Sequence, residues 1–295
     1  MPQAFALMNN DKDRIINMIM EDNCHGLPQL EAAEHTYIGR DGVREKRSEE
    51  VLREHLMEVY INGELTMKLV CIPQDLAELV LGRLLTEGII RSAADVERIL
   101  ICEYGKTAVV TLIGSEREQT TAKTESFVET TPTCCTGNHI LNDLFLMDKS
   151  LRPVVPIPWK AAHVFALADR FGEGMPLHAK TWATHSCFLA RGEELLFACE
   201  DIGRHNALDK VIGYALRSGI PLDECLVYSS GRIPTDMAMK AIRAGIPILC
   251  SKASPTREAV ALAEKYRLTL ICAARRDRMK LYAGELPQDC ADKGV

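Results

Sequence analysis

The chain reads EDIGRHNALDK from Glu200 to Lys210, and this stretch decides the predicted fold. It follows an apolar run, Leu195 to Cys199, and precedes apolar residues that recur on one helix face from about Ala207. This order predicts a strand, a polar loop and a helix. Because a helix begins with free backbone N–H groups, we expect the loop to favour an anion. By itself, such a loop is equally consistent with a tight turn that holds an internal ion pair.

Three further units repeat this order of parts. Strands are predicted at Cys225–Tyr228, Ile246–Cys250 and Leu268–Ala273, and helices at Asp236–Ala244 and from Pro255, as the first helical residue, to about Tyr266. Strands that alternate with helices at this spacing predict an α/β fold with a mostly parallel sheet. We therefore expect the polar loops to share the carboxyl edge of one sheet, where open α/β sheets bind ligands.

The predicted edge is rich in basic side chains, although the formal net charge of the chain is -6. They are Arg204, Arg232, Lys252, Arg275, Arg276 and Arg278. A local positive charge on an acidic chain indicates a phosphorylated small molecule as the ligand and argues against a nucleic acid.

Composition places the chain among ordinary water-soluble proteins, with 295 residues, 47% hydrophobic and 26% charged. No apolar run has membrane-spanning length and the start lacks the pattern of a signal peptide, so we expect a cytoplasmic protein that does not enter a membrane. The 11 cysteines include several within strand-like runs, which we expect to be reduced and buried. These are Cys187, Cys199, Cys225, Cys250 and Cys272. Their spacing does not match a structural zinc site, so we expect no metal.

The sequence divides into three predicted parts. Residues 1–50 form an extension that either docks on a surface or is partly disordered. Residues 51–130 form a small α+β domain, with a hairpin turn at Asn62-Gly63 and a helix from Pro73 that ends at Gly88. This domain ends in a loop rich in Thr, Ser and Glu that we expect to be mobile. Residues 131–295 form the larger domain with the sheet described above.

Cys134 and Cys135 differ from the cysteines of the strands. They follow the predicted mobile loop and precede a helix predicted from Ile140, with His139 nearby. A helix N-terminus and a neighbouring histidine favour the reactive thiolate form of cysteine. A reactive role is one interpretation; two partly buried thiols, or a vicinal disulfide formed on oxidation, are the others.

The opening motif and several later segments together resemble the formate dehydrogenase accessory sulfurtransferase family, FdhD. The later segments read SSGR from Ser229, KAIRAGIP from Lys240 and SKASPT from Ser251, and INGE from Ile61 and LVLGRLLTEGII from Leu79 match the N-terminal part of the family. The resemblance implies a fold like that of cytidine deaminases in the larger domain, without their zinc.

The resemblance also implies a function. Such a protein accepts sulfur from a cysteine desulfurase as a cysteine persulfide. It then transfers the sulfur to the bis(molybdopterin guanine dinucleotide) molybdenum cofactor that formate dehydrogenase requires. The cofactor is here a bound substrate, and a guanine nucleotide such as GDP mimics one end of it.

The resemblance assigns sulfur transfer to Cys134, with Cys135 as the second candidate. The family pattern C-G-x-C-G is replaced here by Thr133-Cys134-Cys135-Thr136-Gly137, so the second family cysteine is missing. The family's cofactor-binding segment corresponds to Ala273, Ala274, Arg275, Arg276, Asp277 and Arg278. We add polar residues from the predicted edge, namely Arg204, His205, Asn206, Ser230, Gly231 and Arg232.

Two other functions compete with sulfur transfer. A chaperone that delivers the cofactor without sulfur chemistry would explain the missing second cysteine. A nucleotide deaminase is disfavoured, because the zinc-ligand signature is absent. An apolar helix face such as Leu79 to Leu85 would permit a homodimer.

Overall fold

A computed structural model describes residues 18–114 and 151–290, together with the two-residue strands β1 (Leu7–Met8), β2 (Ile15–Ile16) and β10 (Thr130–Thr131). The described part of the chain is a mixed α/β structure with two six-stranded sheets. Cys134 and Cys135, the helix predicted from Ile140 and most of the predicted mobile loop lie outside the described residues.

The N-terminal sheet has the strand order β10-β7-β6-β9-β8-β3. Its longer strands are β3 (Ile19–Asp22), β6 (His55–Ile61), β7 (Glu64–Cys71), β8 (Val96–Ile101) and β9 (Thr107–Leu112). The predicted hairpin turn is confirmed: Asn62 and Gly63 join β6 to β7 with φ angles of 51° and 88°. Asparagine and glycine adopt these positive φ angles at little cost, which is why the turn forms there.

Part of the N-terminal extension docks on this sheet, because β3 pairs in parallel with β8. The next segment forms a separate two-stranded sheet from β4 (Leu30–Ile38) and β5 (Arg44–Leu52). Most side chains of β5 are exposed.

Helix α1 (Leu76–Thr86) joins the two halves of the molecule, and all of its residues are buried. It is preceded by Asp75 and followed by Gly88, which has φ 74° and lies where the sequence predicted the end of the helix. Leu79 to Leu85, the face proposed above for a homodimer, is buried within the chain itself and is not available for a second copy.

The C-terminal sheet has the strand order β12-β11-β13-β14-β15-β16. The strands are β11 (His185–Arg191), β12 (Glu194–Asp201), β13 (Leu226–Ser229), β14 (Ile248–Ser251), β15 (Thr269–Cys272) and β16 (Lys280–Ala283). The prediction of a mostly parallel sheet needs correction, because β11 and β16 run against their neighbours. A short turn at Gly192 makes β11 and β12 a hairpin, and a hairpin is necessarily antiparallel.

The carboxyl ends of β12, β13, β14 and β15 nevertheless lie at one edge. Strands β12 and β13 are both antiparallel to β11 and therefore run in the same direction, while β14 and β15 are parallel to β13. The start of β11 lies at this same edge, because His185 pairs with Asp201.

Helices cover both faces of the C-terminal sheet. They are α2 (Ala161–Gly172), α3 (Pro176–Thr181), α4 (Arg204–Ser218), α5 (Thr235–Arg243) and α6 (Arg257–Tyr266). One hydrophobic core includes α1, α4, α5, α6, the inner face of the N-terminal sheet and one face of the C-terminal sheet. A second core packs α2 against the opposite face, on residues such as Phe188 and Tyr228. The C-terminal half is thus a three-layer arrangement; its likeness to cytidine deaminases stays a prediction.

Two helix starts differ from the predicted positions. Helix α4 begins at Arg204 and not near Ala207, so Arg204, His205 and Asn206 belong to its first turn. Helix α6 begins at Arg257, where the side chain of Thr256 accepts a hydrogen bond from the backbone nitrogen of Ala259 at 3.2 Å. Thr256 is therefore the N-cap and Pro255 precedes the helix.

The strand cysteines are as predicted. Cys187, Cys199, Cys225, Cys250 and Cys272 are free and buried. Burial raises the pKa of Cys225 to about 11 and that of Cys272 to about 12, so these thiols stay protonated. Among the described residues, no helix has the length and apolar character needed to cross a membrane.

Candidate functional site

A cavity of about 710 Å³ opens at the carboxyl edge of the C-terminal sheet. Its wall is formed by the end of α2, by α3, by the start of β11 and by the loops that follow β12, β13, β14 and β15. The residues that line it include Phe171, Met175, His178, Trp182, Thr184, His185, Ser186, Ser230, Lys252 and Arg275. The position agrees with the edge at which the sequence predicted a ligand.

His185 and Ser230 form the polar floor of this cavity. The Nδ1 atom of His185 lies 3.0 Å from Oγ of Ser230, and the backbone nitrogen of Ser186 donates to the same oxygen at 3.1 Å. The single hydroxyl proton of Ser230 is donated to Nδ1 when the ring carries its proton on Nε2. Burial, followed by the charge of Arg204, lowers the pKa of His185, so the imidazole is neutral at neutral pH.

Lys252 and Arg275 bring positive charge to the cavity wall. The guanidinium of Arg275 donates to the carbonyl oxygens of Lys252 and Ala274, which holds its side chain against the loop after β14. The ammonium nitrogen of Lys252 lies 5.9 Å from the ring centroid of Phe171. Two cations beside neutral hydroxyl groups can bind the phosphates of a small molecule.

Glu200 holds the opposite wall in place. Its carboxylate accepts hydrogen bonds from the backbone nitrogens of Leu177 at 2.8 Å and His178 at 2.7 Å, and from Oγ1 of Thr184 at 2.8 Å. An acceptor at the start of α3 satisfies N–H groups that have no partner within the helix. The first residue of the opening motif therefore has a structural task, which the sequence did not indicate.

The N-terminus of α4 already binds an anionic group of the protein, the carboxylate of Asp201. Oδ1 of Asp201 accepts from the backbone nitrogen of Gly203 at 3.2 Å and from Nδ2 of Asn206 at 2.8 Å. Its other oxygen forms an ion pair with Lys210 at 2.7 Å and accepts from the backbone nitrogen of Ile72. The loop was expected to favour an external anion, but it binds the carboxylate of Asp201. This is the other interpretation given by the sequence, a tight turn that holds an internal ion pair.

Arg204, His205 and Asn206 are buried and do not line the cavity. Nε2 of His205 lies 2.7 Å from Oδ2 of Asp236 on α5. Burial lowers the pKa of His205 despite this partner, so the ring is neutral at neutral pH. Asn206 donates to the carbonyl of Val70 at 2.8 Å and accepts from Arg83 at 2.9 Å. These residues therefore connect α4 to α5 and to the N-terminal sheet.

A buried group of charges continues this connection between α1, α4 and α5. Asp209 forms ion pairs with Arg83 at 2.8 Å and Lys240 at 2.9 Å, and it accepts from Oγ1 of Thr86. Glu87 contacts Arg83 and Lys240. Opposite charges that are removed from water together must be paired, so this arrangement fixes the relative position of the three helices.

The other predicted residues divide between the interior and the surface. Gly231 is buried beside Arg204, where a Cβ atom on the glycine would lie 2.8 Å from Cδ of the arginine. Arg232 is exposed and is not part of the cavity lining. Ala273 and Ala274 donate backbone hydrogen bonds to Ala253 and Ser251, which ties the end of β15 to the loop after β14.

The remaining basic residues of the predicted edge, Arg276 and Arg278, are not part of the cavity lining. Arg276 lies 3.6 Å from the carboxylate of Asp169 on α2, and Arg278 pairs with its neighbour Asp277 at 2.9 Å. All four side chains are largely exposed. Ser230 and Arg275 are therefore the predicted residues that the cavity brings together, along with Lys252 from the predicted basic edge.

Strand β10 indicates how the chain approaches the site. Thr131 pairs with Leu69, and β10 is parallel to β7, so it ends on the side where Val70 and Ile72 lie. Val70 and Ile72 are hydrogen-bonded to Asn206 and Asp201 at the carboxyl edge of the C-terminal sheet. Cys134 follows Thr131 by three residues and, like Cys135, lies outside the described part of the chain.

A second cavity, of about 930 Å³, lies between the extension and the start of α1. Its lining includes Asp22, Cys24, Asp75, Glu78 and Arg217, and none of the predicted site residues that the structure describes. Burial raises the pKa of both Asp22 and Asp75.

The sequence missed Trp182 and Met175 on the cavity wall. The histidines His178 and His185 on either side of Trp182 were the signal that could have found it, because they mark a polar segment that leads into a strand. Its position depends on the contact between α3 and Glu200, which no local pattern predicts.

Comparisons with known proteins agree with this architecture. Residues 52–287 match the model of the FdhD/NarQ family. A sulfur carrier protein FdhD of Bacillus pumilus is 34% identical over 251 residues, which are 84% of this chain and 93% of the relative. The protein of the same name from Bacillus subtilis is 32% identical over 240 residues, covering 80% and 89% of the two chains.

The fold also resembles that of a solved structure. The crystal structure of a protein assigned as a formate dehydrogenase accessory protein from Desulfotalea psychrophila superposes with a TM-score of 0.70 and 25% identity. The superposition covers 87% of this chain and 98% of the other.

Proposed function

The chain belongs to the FdhD/NarQ family, and from this premise we propose that it is a sulfur carrier that serves a formate dehydrogenase. It accepts sulfur from a cysteine desulfurase in the cytoplasm and transfers it to the bis(molybdopterin guanine dinucleotide) molybdenum cofactor, which is its substrate. Relatives named sulfur carrier proteins and a structural neighbour assigned as a formate dehydrogenase accessory protein support the proposal.

The observation that carries the proposal is the cavity at the sheet edge with Lys252 and Arg275 in its wall. The substrate has two phosphate-rich nucleotide ends, and guanidinium and ammonium groups are the usual partners of phosphate. Ser230 and the neutral imidazole of His185 supply further hydrogen bonds. The volume of about 710 Å³ suits one nucleotide, so GDP is an appropriate mimic of the bound end.

Cys134 carries the sulfur in this proposal, with Cys135 as the alternative carrier. Three extended residues span at most about 10 Å, so the chain keeps Cys134 within that distance of Thr131. Thr131 in turn pairs with β7, whose last residues are bonded to the same sheet edge as the cavity. In this proposal a thiol on this segment receives sulfur from the desulfurase and delivers it to the substrate at the edge.

The sulfur moves in two balanced steps. The thiolate of the carrier cysteine attacks the terminal sulfur of the desulfurase persulfide, a new S–S bond forms, and the desulfurase thiolate leaves. A low-molecular-weight thiol then attacks the carrier persulfide and forms a disulfide with the carrier sulfur. The terminal sulfur keeps the two electrons and leaves as sulfide, which the molybdenum of the substrate accepts.

Mass spectrometry after incubation with a cysteine desulfurase and cysteine tests the carrier role. We expect the peptide that contains Cys134 to gain the mass of one sulfur atom in the native protein, and not in Cys134→Ala. Cys290→Ala removes an exposed cysteine elsewhere and is the matched control. Loading that persists in Cys134→Ala but not in Cys135→Ala would move the role to Cys135.

A chaperone that delivers the cofactor without sulfur chemistry is the rival function, because the second family cysteine is absent. In that case the double variant Cys134→Ala/Cys135→Ala would still activate formate dehydrogenase in cells. The sulfur-carrier proposal predicts that this variant binds GDP normally and leaves formate dehydrogenase inactive.

A further inference from the structure

Trp182 lines the cavity and is 80% exposed, whereas Trp159, the other tryptophan of the chain, is 5% exposed. Burial of an indole ring is one of the larger stabilising contributions a side chain can make. A tryptophan that remains in solvent at the mouth of a cavity provides none of it. The ring is therefore available to a molecule that enters the cavity.

The backbone of Trp182 adds a second cost to the fold. Its φ angle is 55°, in the left-handed region that favours glycine and is uncommon for bulky residues. The residue follows the last turn of α3, where glycine would fit without strain. The left-handed backbone is strained and the exposed ring gains little from burial, and such combinations occur at binding sites.

Several contacts fix the position of the ring. The backbone nitrogen of Trp182 donates to the carbonyl of His178 at 2.9 Å, and the two rings meet edge to face with centroids 5.3 Å apart. His178 is held in turn through Nδ1, which lies 3.0 Å from the carbonyl oxygen of Thr184. Glu200 anchors both His178 and Thr184. These contacts hold the segment that carries the indole in one conformation. Binding a ligand therefore costs little conformational entropy.

We propose that Trp182 is the platform on which the purine base of the bound nucleotide stacks. The inference rests on the proposed function, in which Lys252 and Arg275 bind the phosphates of the same nucleotide. Apolar and cationic groups line one continuous cavity, so a single nucleotide can contact both. Every base has an aromatic face, and stacking on a side-chain ring contributes enough that its loss weakens binding about 5- to 150-fold.

Titration calorimetry on the full chain tests this assignment with three probes: GDP, inorganic pyrophosphate and free pterin. Pyrophosphate carries the charge without the base, and pterin represents the other flat ring of the proposed substrate. Trp182→Gly removes the ring and relieves the left-handed backbone. We expect it to bind GDP about 5- to 150-fold more weakly, to bind pyrophosphate as the native protein does, and to melt no lower than the native protein.

Two further variants separate stacking from folding effects. Trp182→Phe keeps an aromatic face and should retain most of the GDP affinity. Tyr104→Ala removes an aromatic side chain that is 63% exposed and is not part of the cavity lining, so it should leave all three affinities unchanged.

The outcomes distinguish the platform from the function on which it rests. If the native protein binds GDP and Trp182→Gly binds it equally well, the platform is rejected while nucleotide binding stands. An equal loss for GDP and pyrophosphate would make Trp182 a structural residue, and a loss confined to pterin would reject the assignment to the purine base. Native protein that binds neither GDP nor pyrophosphate would overturn both the platform and the nucleotide part of the proposed function.

Discussion

Gly82 of α1 faces Gly213 of α4 at the point where the two helices cross. A Cβ atom on Gly82 would lie 2.9 Å from the backbone nitrogen of Gly213 and closer still to the carbonyl oxygen of Asp209. A Cβ on Gly213 would meet the carbonyl group of Glu78 in the same way. Backbone atoms cannot rotate aside as side chains do, so only glycine permits this approach.

We therefore predict that Gly82→Ala destabilises the protein by at least about 3 kcal/mol, the upper end of the usual cost of overpacking. Urea unfolding followed by circular dichroism measures the change. Gly114→Ala is the control: among residues 18–114 and 151–290 no atom lies within 4 Å of the added Cβ, and the φ angle of 85° opposes the substitution. That cost is about 1–2 kcal/mol. Equal losses in both variants would contradict the close contact between the helices.

Lys210 and Asp201 form an ion pair at 2.7 Å, and neither side chain is accessible to solvent. Lys210→Met leaves a buried carboxylate without its cation, and we expect a loss of about 3–5 kcal/mol in unfolding free energy. Asp201→Asn added to this variant should recover part of the loss, because it removes the uncompensated charge.

A surface pair provides the comparison. Lys180 and Glu50 lie 3.3 Å apart, and each side chain is 58% exposed. Lys180→Met should change the unfolding free energy by less than about 1 kcal/mol. A loss in Lys210→Met as small as this would show that Asp201 is sufficiently stabilised by its hydrogen-bond donors Ile72, Gly203 and Asn206.

Glu200→Gln should loosen the cavity wall, since the amide offers one acceptor oxygen where the carboxylate offers two. We expect a loss of about 1–3 kcal/mol from N–H groups left without a strong acceptor. Amide hydrogen exchange locates the effect: protection should fall at Leu177 and His178 and stay unchanged in β14. Glu194→Gln, on the exposed end of the same strand, is the control. Uniform loss of protection would contradict a local role.

Protonation of the buried histidines should destabilise the protein in mild acid. Burial lowers the pKa of both His185 and His205 below the unfolded value, which is about 6.5. The unfolded chain then binds more protons, so this stability is complete above about pH 6.5 and is lost as the pH falls below that value and through the lower pKa of the folded state.

Melting temperatures between about pH 7.5 and about pH 5.5 test this expectation. His205→Asn keeps a donor for Asp236 and should reduce the decrease on acidification. His35→Asn replaces a histidine on the β4–β5 hairpin, where it pairs loosely with Glu49, and should leave the decrease unchanged. A native protein whose melting temperature rises on acidification would show that these histidines do not control the pH dependence.

The sequence predicted those elements whose cause is local. Asn62-Gly63 specifies the turn between β6 and β7, and Gly245, with φ 75°, ends α5 as expected. The common edge of β12 to β15 followed from the alternation of strands and helices. The antiparallel pairing of β11 with β13 was not predicted, because it joins segments that are distant in sequence and no local pattern specifies it.

The contacts made by the buried residues of the opening motif could not be predicted from the sequence. Asn206 meets Arg83 across 123 residues of sequence, and Asp201 meets Ile72 across 129. The sequence shows that these residues are polar, but it does not show whether their partners are a ligand or other residues. Their burial in the folded chain means that the partners are other residues of the protein. The same reason placed Ser230 and Arg275 in the cavity wall and Arg204 beneath Gly231.

Helix α1 is enclosed on all sides, and one core extends across it from the N-terminal sheet to the C-terminal sheet. The two sheets are therefore not independent folding units, and heating should melt them in a single calorimetric transition. Truncation at the start of the C-terminal half would strip α4 of its main partner and yield an aggregating fragment. Any change of shape in the described part of the chain must then leave the contact between α1 and α4 intact.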